Sequence, residues 1–304
     1  MNAWPSCRPN PMVGALLFKG GKVISEGYTS AYGGLHAEVN AIQGVEDELL
    51  KLSTLYVSLE PCAHFGKTPP CSDLIIEKKI PKVVLGCRDP FSEVSGKGIE
   101  KLKRAGVEVI EGVLEAECLA MNKRFITFHE KKRPYVILKW AESSDGFIDV
   151  NRKGGKAAAI SNSMTNQLVH KWRSEEEGIL VGGETARQDN PSLTTRAVTG
   201  DDPRRFIWTR KGIGDGLKLN ELGFDSLECD SVGEALNELY SRGIQSVLVE
   251  GGRKVLQQFI DQGSYDEIRR IVSEKQLHDG VSAPEFKEVL KNRFRSGTDT
   301  VEIY

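Results

Sequence analysis

Two successive α/β domains are predicted, on three observations. The chain has 304 residues, the span of two average domains. Short apolar runs alternate with helical stretches along its whole length, the pattern of partly parallel sheets covered by helices. A charged, proline-ended stretch from Glu130 to Pro134 interrupts that pattern and reads as a linker. The domains are therefore placed at residues 1–130 and 131–304.

In the first domain, "VGALLF" and "KVISEGY" read as strands joined at Gly20–Gly21, a hairpin signal. "HAEVNAIQGV" follows as a helix with Ala37, Ala41 and Val45 on one face. "STLYVSL" is a buried-type strand, "CSDLIIEKKI" an amphipathic helix and "KVVLGC" another strand. "GIEKLKRAG" is a helix stopped by Gly106, and "VEVIEGV" closes the set as a strand. In the second domain, Tyr135 to Trp140 is a strong strand and "SMTNQLVHKWRSEEE" a helix. "GILVGGETA" is a strand and turn, "RRFIWTR" a strand, and "IQSVLVEGG" a strand ending in glycines. "RKVLQQFIDQG" is a helix, and "EIRRIVSEK" is the last strong strand candidate.

Composition narrows the function classes. Hydrophobic residues at 39% can fill sizeable cores. A net charge of -2 argues against a general polyanion binder or a nucleic-acid-editing enzyme, though a local basic patch can still hold one phosphate. No apolar run approaches the ~18 residues of a membrane span, and the N-terminus lacks the long apolar core of a signal peptide. A cytoplasmic protein without a membrane partner is expected. Six cysteines are too sparse for a disulfide scaffold in a chain of this length, so each should serve metal, chemistry or packing. Cys87 and Cys118 read as packing residues.

The chemistry begins at "LHAEVNAI". His36 and Glu38 stand two residues apart, a dyad that an ordinary amphipathic helix also explains. Downstream, "LEPCAHFGKTPPCSDLII" places Cys62 at a strand end and Cys71 near a helix start. A catalytic zinc takes three protein ligands and keeps one open position. His36, Cys62 and Cys71 supply one imidazole and two thiolates, and helix N-termini favour the thiolate form. A structural zinc would need a fourth protein ligand, for which His64 is the sole candidate. Glu38 would lie beside the metal unligated, free to move protons. The combination fits the H-x-E…P-C signature of zinc nucleobase deaminases, with a longer gap before the second cysteine.

With "PNPMVGALL", "HAEVNAI", "YVSLEPCAHFGKTPPC" and "DPFSEVSGKGIEKLKRAGVEV" in view, the first half resembles the deaminase half of the bifunctional riboflavin-biosynthesis deaminase/reductase family. The resemblance continues through "YVILKWAESSDGFI", "TARQDNPSLTTR" and "VLVEGG". It implies a cytidine-deaminase-like three-layer α/β/α domain followed by a dihydrofolate-reductase-like α/β domain. It implies zinc on His36, Cys62 and Cys71, Glu38 as proton shuttle, and Asn10, His64 and Lys67 as deaminase substrate contacts. For the second half it implies NADPH beside Ala141, Ala159, Thr185, Asp189 and Gly252. Lys139, Arg173, Leu193, Arg196 and Glu250 would then meet the sugar phosphate of a small pyrimidine substrate. Homo-oligomers are usual in the family.

The sequence departs from the family in places. The family places a helix of about four turns before "PNP", where eight or nine residues stand here. A Gly-rich, charged segment, "KGIGDGLKLNELGFDSLECD", stands where the family carries a longer stretch with an additional strand and helix, so the second domain reads as shortened. Ala159 occupies an aromatic position, and "RRIVSEKQLHDG" replaces a proline-rich strand. These departures define an alternative: a deaminase alone, with a degenerate second domain used for assembly.

Overall fold

The computed structural model describes residues 6–65, 69–91, 95–152 and 157–304. The chain divides into two compact units, residues 1–131 and 132–304. Among the described residues no helix is long and apolar enough to cross a membrane.

In the first unit the order is β1 (Gly14–Lys19), β2 (Lys22–Tyr28), α1 (Ala37–Ile42), α2 (Asp47–Leu50), β3 (Thr54–Leu59) and α3 (Cys71–Glu77). Then come β4 (Lys82–Cys87), α4 (Lys97–Arg104), β5 (Glu108–Ile110), α5 (Glu115–Met121) and α6 (Lys123–Lys131). The sheet runs β2-β1-β3-β4-β5; β1 is antiparallel to β2 and β3, and the remaining pairs are parallel. Period-two alternation puts Ala15, Leu17, Leu55, Val57, Val83 and Leu85 on one face. There they meet Ala37 and Ala41 of α1, Ile75 of α3, and Ile99 and Leu102 of α4. The same packing fixes the starts of α1 and α3 beside the C-terminal end of β3.

In the second unit β6 (Tyr135–Glu142), β7 (Phe147–Asp149), α7 (Ser163–Glu175), β8 (Gly178–Gly182), α8 (Gly183–Asp189) and β9 (Arg204–Trp208) come first. They are followed by α9 (Lys218–Leu222), β10 (Asp225–Leu227), α10 (Val232–Ser241), β11 (Ser246–Gly251) and α11 (Arg253–Asp261). The chain ends with β12 (Glu267–Val272), β13 (Val281–Ser282), β14 (Asn292–Ser296) and β15 (Asp299–Ile303). The main sheet has the order β10-β9-β8-β11-β6-β12-β15-β14. It is parallel from β10 to β12, and the β14–β15 hairpin closes it antiparallel. Its central strands are apolar on both faces, as parallel strands covered on both sides must be. Val136, Leu138, Val247 and Val249 pack with Leu239, Leu256 and Phe259, whereas Tyr135, Ile137 and Leu248 pack with Val169 and Trp172.

Four sequence readings change. The stretch from Glu130 is no free linker, because α6 runs through Lys131 with Glu130 and Lys131 exposed, and Arg133 just beyond it donates two hydrogen bonds to the Asp266 carboxylate. The Gly-rich segment is not empty of structure, since it forms α9 and β10, and β10 pairs in parallel with β9. The chain also does not end its sheet at β12, because β15 adds to it and carries β14 outward. The helix from "HAEVNAIQGV" stops at Ile42, and His36 stands at its N-cap.

Phe259, fully buried between α11 and the sheet, should anchor the second unit. Phe259→Ala is expected to cost about 3–5 kcal/mol. Urea unfolding followed by tryptophan fluorescence checks this, because Trp140, Trp172 and Trp208 all lie in that unit.

Candidate functional site

Three donors converge where α1 and α3 begin. His36 caps α1, Cys71 is the first residue of α3, and Cys62 sits in the loop after β3. The His36 Nδ1 lies 3.7 Å from the Cys62 sulfur and 3.3 Å from the Cys71 sulfur. All three ligand atoms fall within 4.8 Å of one another, and they form the one such group among the described residues. Zinc arms of about 2.3 Å to sulfur and 2.0 Å to nitrogen at tetrahedral angles put nitrogen and sulfur about 3.5 Å apart, so the donor set fits zinc.

Electrostatics agree with that geometry. The hydrogen bond from Cys71 drives the Cys62 thiol down to about 4, and the same pairing, with burial, pushes Cys71 up. The bond to Cys62 also raises His36. The α3 terminus steadies the loop: the Cys71 N–H donates to the Cys62 sulfur at 3.3 Å, and the Ser72 N–H donates to the Cys62 carbonyl at 3.1 Å.

Glu38 is buried in the first turn of α1, within hydrogen-bonding reach of Cys71. Burial pushes its carboxyl up to about 7. Asp89, just past β4, is raised by burial to about 6, and its electrostatic neighbours include Glu60, Cys62 and His64. Asn10 is half-buried, with its backbone N–H tied to the Cys7 carbonyl. His64 is exposed, its ring edge-on to Phe91 at 6.4 Å. Lys67 lies outside the described residues.

The second unit holds a different cluster. Arg173 of α7 donates two hydrogen bonds to the Glu250 carboxylate, both at 2.8 Å, and a third to the Thr194 carbonyl at 3.1 Å. Lys139 of β6 stands 3.8 Å from Glu250. Burial alone would raise Glu250, but the charges of Arg173 and Lys139 prevail and hold it near 2. Burial lowers Lys139. Arg196 bonds the Thr194 hydroxyl, and Leu193 is buried with a positive φ of 52°. Gly252 starts α11 at φ 60°, and a Cβ there would stand 2.7 Å from the Thr185 hydroxyl. Only glycine lets the first turns of α8 and α11 come so close. Ala141 is partly buried on β6. The Ala159 carbonyl accepts from Lys275.

Comparison with known proteins follows the same division. Residues 2–87 match the cytidine and deoxycytidylate deaminase zinc-binding region, and residues 134–277 match the RibD C-terminal domain. The riboflavin biosynthesis protein RibD of Aquifex aeolicus is 37% identical over 300 residues, covering 90% of this chain and 83% of its own. RibD of Bacillus amyloliquefaciens is 36% identical over 291 residues, covering 86% and 78%. A crystal structure of a diaminohydroxyphosphoribosylaminopyrimidine deaminase/5-amino-6-(5-phosphoribosylamino)uracil reductase from Thermotoga maritima superposes with a TM-score of 0.88 at 38% identity, covering 98% of this chain and 93% of that one. The chain belongs to the RibD family. Both RibD halves are present, and nothing favours a degenerate second one.

Two arrangements were not legible beforehand. Arg173 does not offer a free guanidinium to a phosphate, because Glu250 and Thr194 take three of its donors. Asp189 does not stand alone: Arg152 bonds it at 2.5 Å and also pairs with Asp149. No local pattern announces Arg152. "HKWR" puts His170 one turn before Arg173. It is buried, and burial followed by Arg173 and Arg196 lowers its pKa.

Glu250→Gln should leave Arg173 and Lys139 without their counter-charge. A loss of about 3–5 kcal/mol at pH 7 is expected, measured by urea unfolding of the second unit. The wild-type carboxyl is held near 2 against an ordinary value of about 4.3. Its contribution is full above the ordinary value and is lost as pH falls towards 2. The gap between wild type and variant should therefore narrow below pH 4.

Proposed function

We propose that this chain carries out two consecutive steps of riboflavin biosynthesis. The first is hydrolytic deamination of 2,5-diamino-6-ribosylamino-4(3H)-pyrimidinone 5′-phosphate. The second is NADPH-dependent reduction of the ribosyl chain to ribityl. One observation carries the reading: a His/Cys/Cys donor set and a RibD C-terminal domain occur in a single chain.

In the first unit His36, Cys62 and Cys71 would hold zinc, which when bound supplies the Lewis acid for attack by water near neutral pH. Glu38 takes a proton from the attacking water on a carboxylate oxygen. It delivers that proton to the ring nitrogen, then takes a second one from the hydroxyl newly bonded to the ring carbon and gives it to the departing ammonia as the carbon–nitrogen bond breaks. A buried carboxyl in the first turn of α1, beside the donor set, is placed to do both. Asn10 reads the pyrimidine edge, since one amide both donates and accepts. His64 and Lys67 complete the substrate contacts.

In the second unit NADPH supplies the hydride. The N-terminus of α11 at Gly252 cradles its phosphates, with Thr185 adjacent. Ala141, Ala159 and Asp189 line the cofactor side. Lys139 and Glu250 bind the sugar, with Arg173 setting Glu250, while Leu193 and Arg196 border the substrate. The working form is a cytoplasmic homo-oligomer acting on small molecules, without a nucleic-acid or membrane partner; sedimentation velocity measures the assembly.

Glu38→Gln separates the steps. With the diaminopyrimidine phosphate it should release no ammonia, a rate loss of at least about 100-fold, while retaining zinc. Given the deaminated intermediate, the variant should oxidise NADPH at the wild-type rate. Loss of zinc from it would make Glu38 a ligand instead of a proton carrier.

A further inference from the structure

We infer that Glu60 is a positioning residue for the metal centre: its carboxylate fixes the loop that presents Cys62. This rests on the zinc ligation proposed above. Cys62 belongs to no helix or strand, so its placement depends on what grips the loop.

Glu60 follows β3 directly and is 3% exposed. Its Oε1 accepts the N–H groups of Gly98 at 3.0 Å and Ile99 at 3.2 Å. Its Oε2 accepts those of Gly96 at 2.9 Å and Asp89 at 3.4 Å. Three of these four donors belong to the N-cap and first turn of α4, where a carboxylate is favoured by the helix dipole. The next residue is held by contact. A Cβ on Gly98 would stand 2.0 Å from the Pro61 carbonyl oxygen, so α4 lies directly against the backbone before Cys62. From the other side α3 bonds the Cys62 sulfur and carbonyl. The segment Glu60–Pro61–Cys62 is thus clamped between two helix starts, and Glu60 is its anchor on α4.

A helix cap with no role at the metal would give the same hydrogen bonds, so the test must separate the two. Full-length, zinc-loaded protein is titrated with a chromogenic chelator, and thermal midpoints are recorded in parallel. Four proteins are compared: wild type, Glu60→Gln, Gly98→Ala and Leu102→Ala. Glu60→Gln keeps the size but turns an amide NH2 towards backbone donors. Gly98→Ala presses on the Pro61 carbonyl without changing charge. Leu102→Ala loosens α4 from the core side, one turn beyond the N–H groups that Glu60 accepts.

Glu60→Gln and Gly98→Ala should bind zinc about 10–100-fold more weakly, the usual effect of removing support behind a ligand. Leu102→Ala should lower the midpoint yet bind zinc like wild type. The inference is overturned if Glu60→Gln binds like wild type, or if Leu102→Ala weakens zinc as much. Should Glu60→Gln not fold, wild-type affinity in Gly98→Ala overturns it. A wild-type protein that holds no zinc would instead refute the metal centre, and this inference with it.

Discussion

Two thiol groups and an imidazole packed within 4.8 Å set the terms for the first unit. Both sulfurs cannot be anionic side by side without a cation, and their mutual hydrogen bond drives Cys62 down and Cys71 up. Much of the local architecture serves this crowding. The starts of α1 and α3 bring His36 and Cys71 together, and backbone N–H groups of α3 steady Cys62. Glu38 is buried alongside, and burial raises its carboxyl to about 7.

The second unit is governed by the same principle with opposite chemistry. Glu250 ends a central strand with its carboxylate buried, and Arg173 and Lys139 arrive from α7 and β6 to neutralise it. A buried carboxylate survives there because a forked guanidinium satisfies both oxygens. Its neighbours follow from that arrangement: Arg173 also holds the Thr194 carbonyl, and with it the segment that carries Leu193 and Arg196.

The sequence revealed what is local and hid what is tertiary. His36 and Glu38 lie in one short motif, and Cys62 and Cys71 in another, so the donor set could be assembled from spacing and type. Strands β1 to β5 of the first sheet, and β6, β8, β9, β11 and β12 of the second, are readable because burial on one or two faces writes a periodic or continuous apolar pattern. The pairing of Arg173 with Glu250 spans 77 positions and leaves no such trace. The same holds for Arg152, whose partners Asp149 and Asp189 come from different elements. β14 was invisible because four of its five residues are exposed, so "NRFRS" has no apolar rhythm. β10 has three residues and exists through its pairing with β9. Charge misled at Lys131, where a helix with one thin buried stripe looks like a linker.

The most direct test of the account is the coordination of the metal itself. Zinc K-edge X-ray absorption on the purified, zinc-replete protein counts sulfur and light-atom neighbours without reference to activity. The predicted shell is two sulfurs at about 2.3 Å, one imidazole nitrogen, and one further light atom not supplied by the protein. A shell with two imidazoles, or with more or fewer than two sulfurs, would contradict the three-ligand centre on which the deaminase chemistry stands.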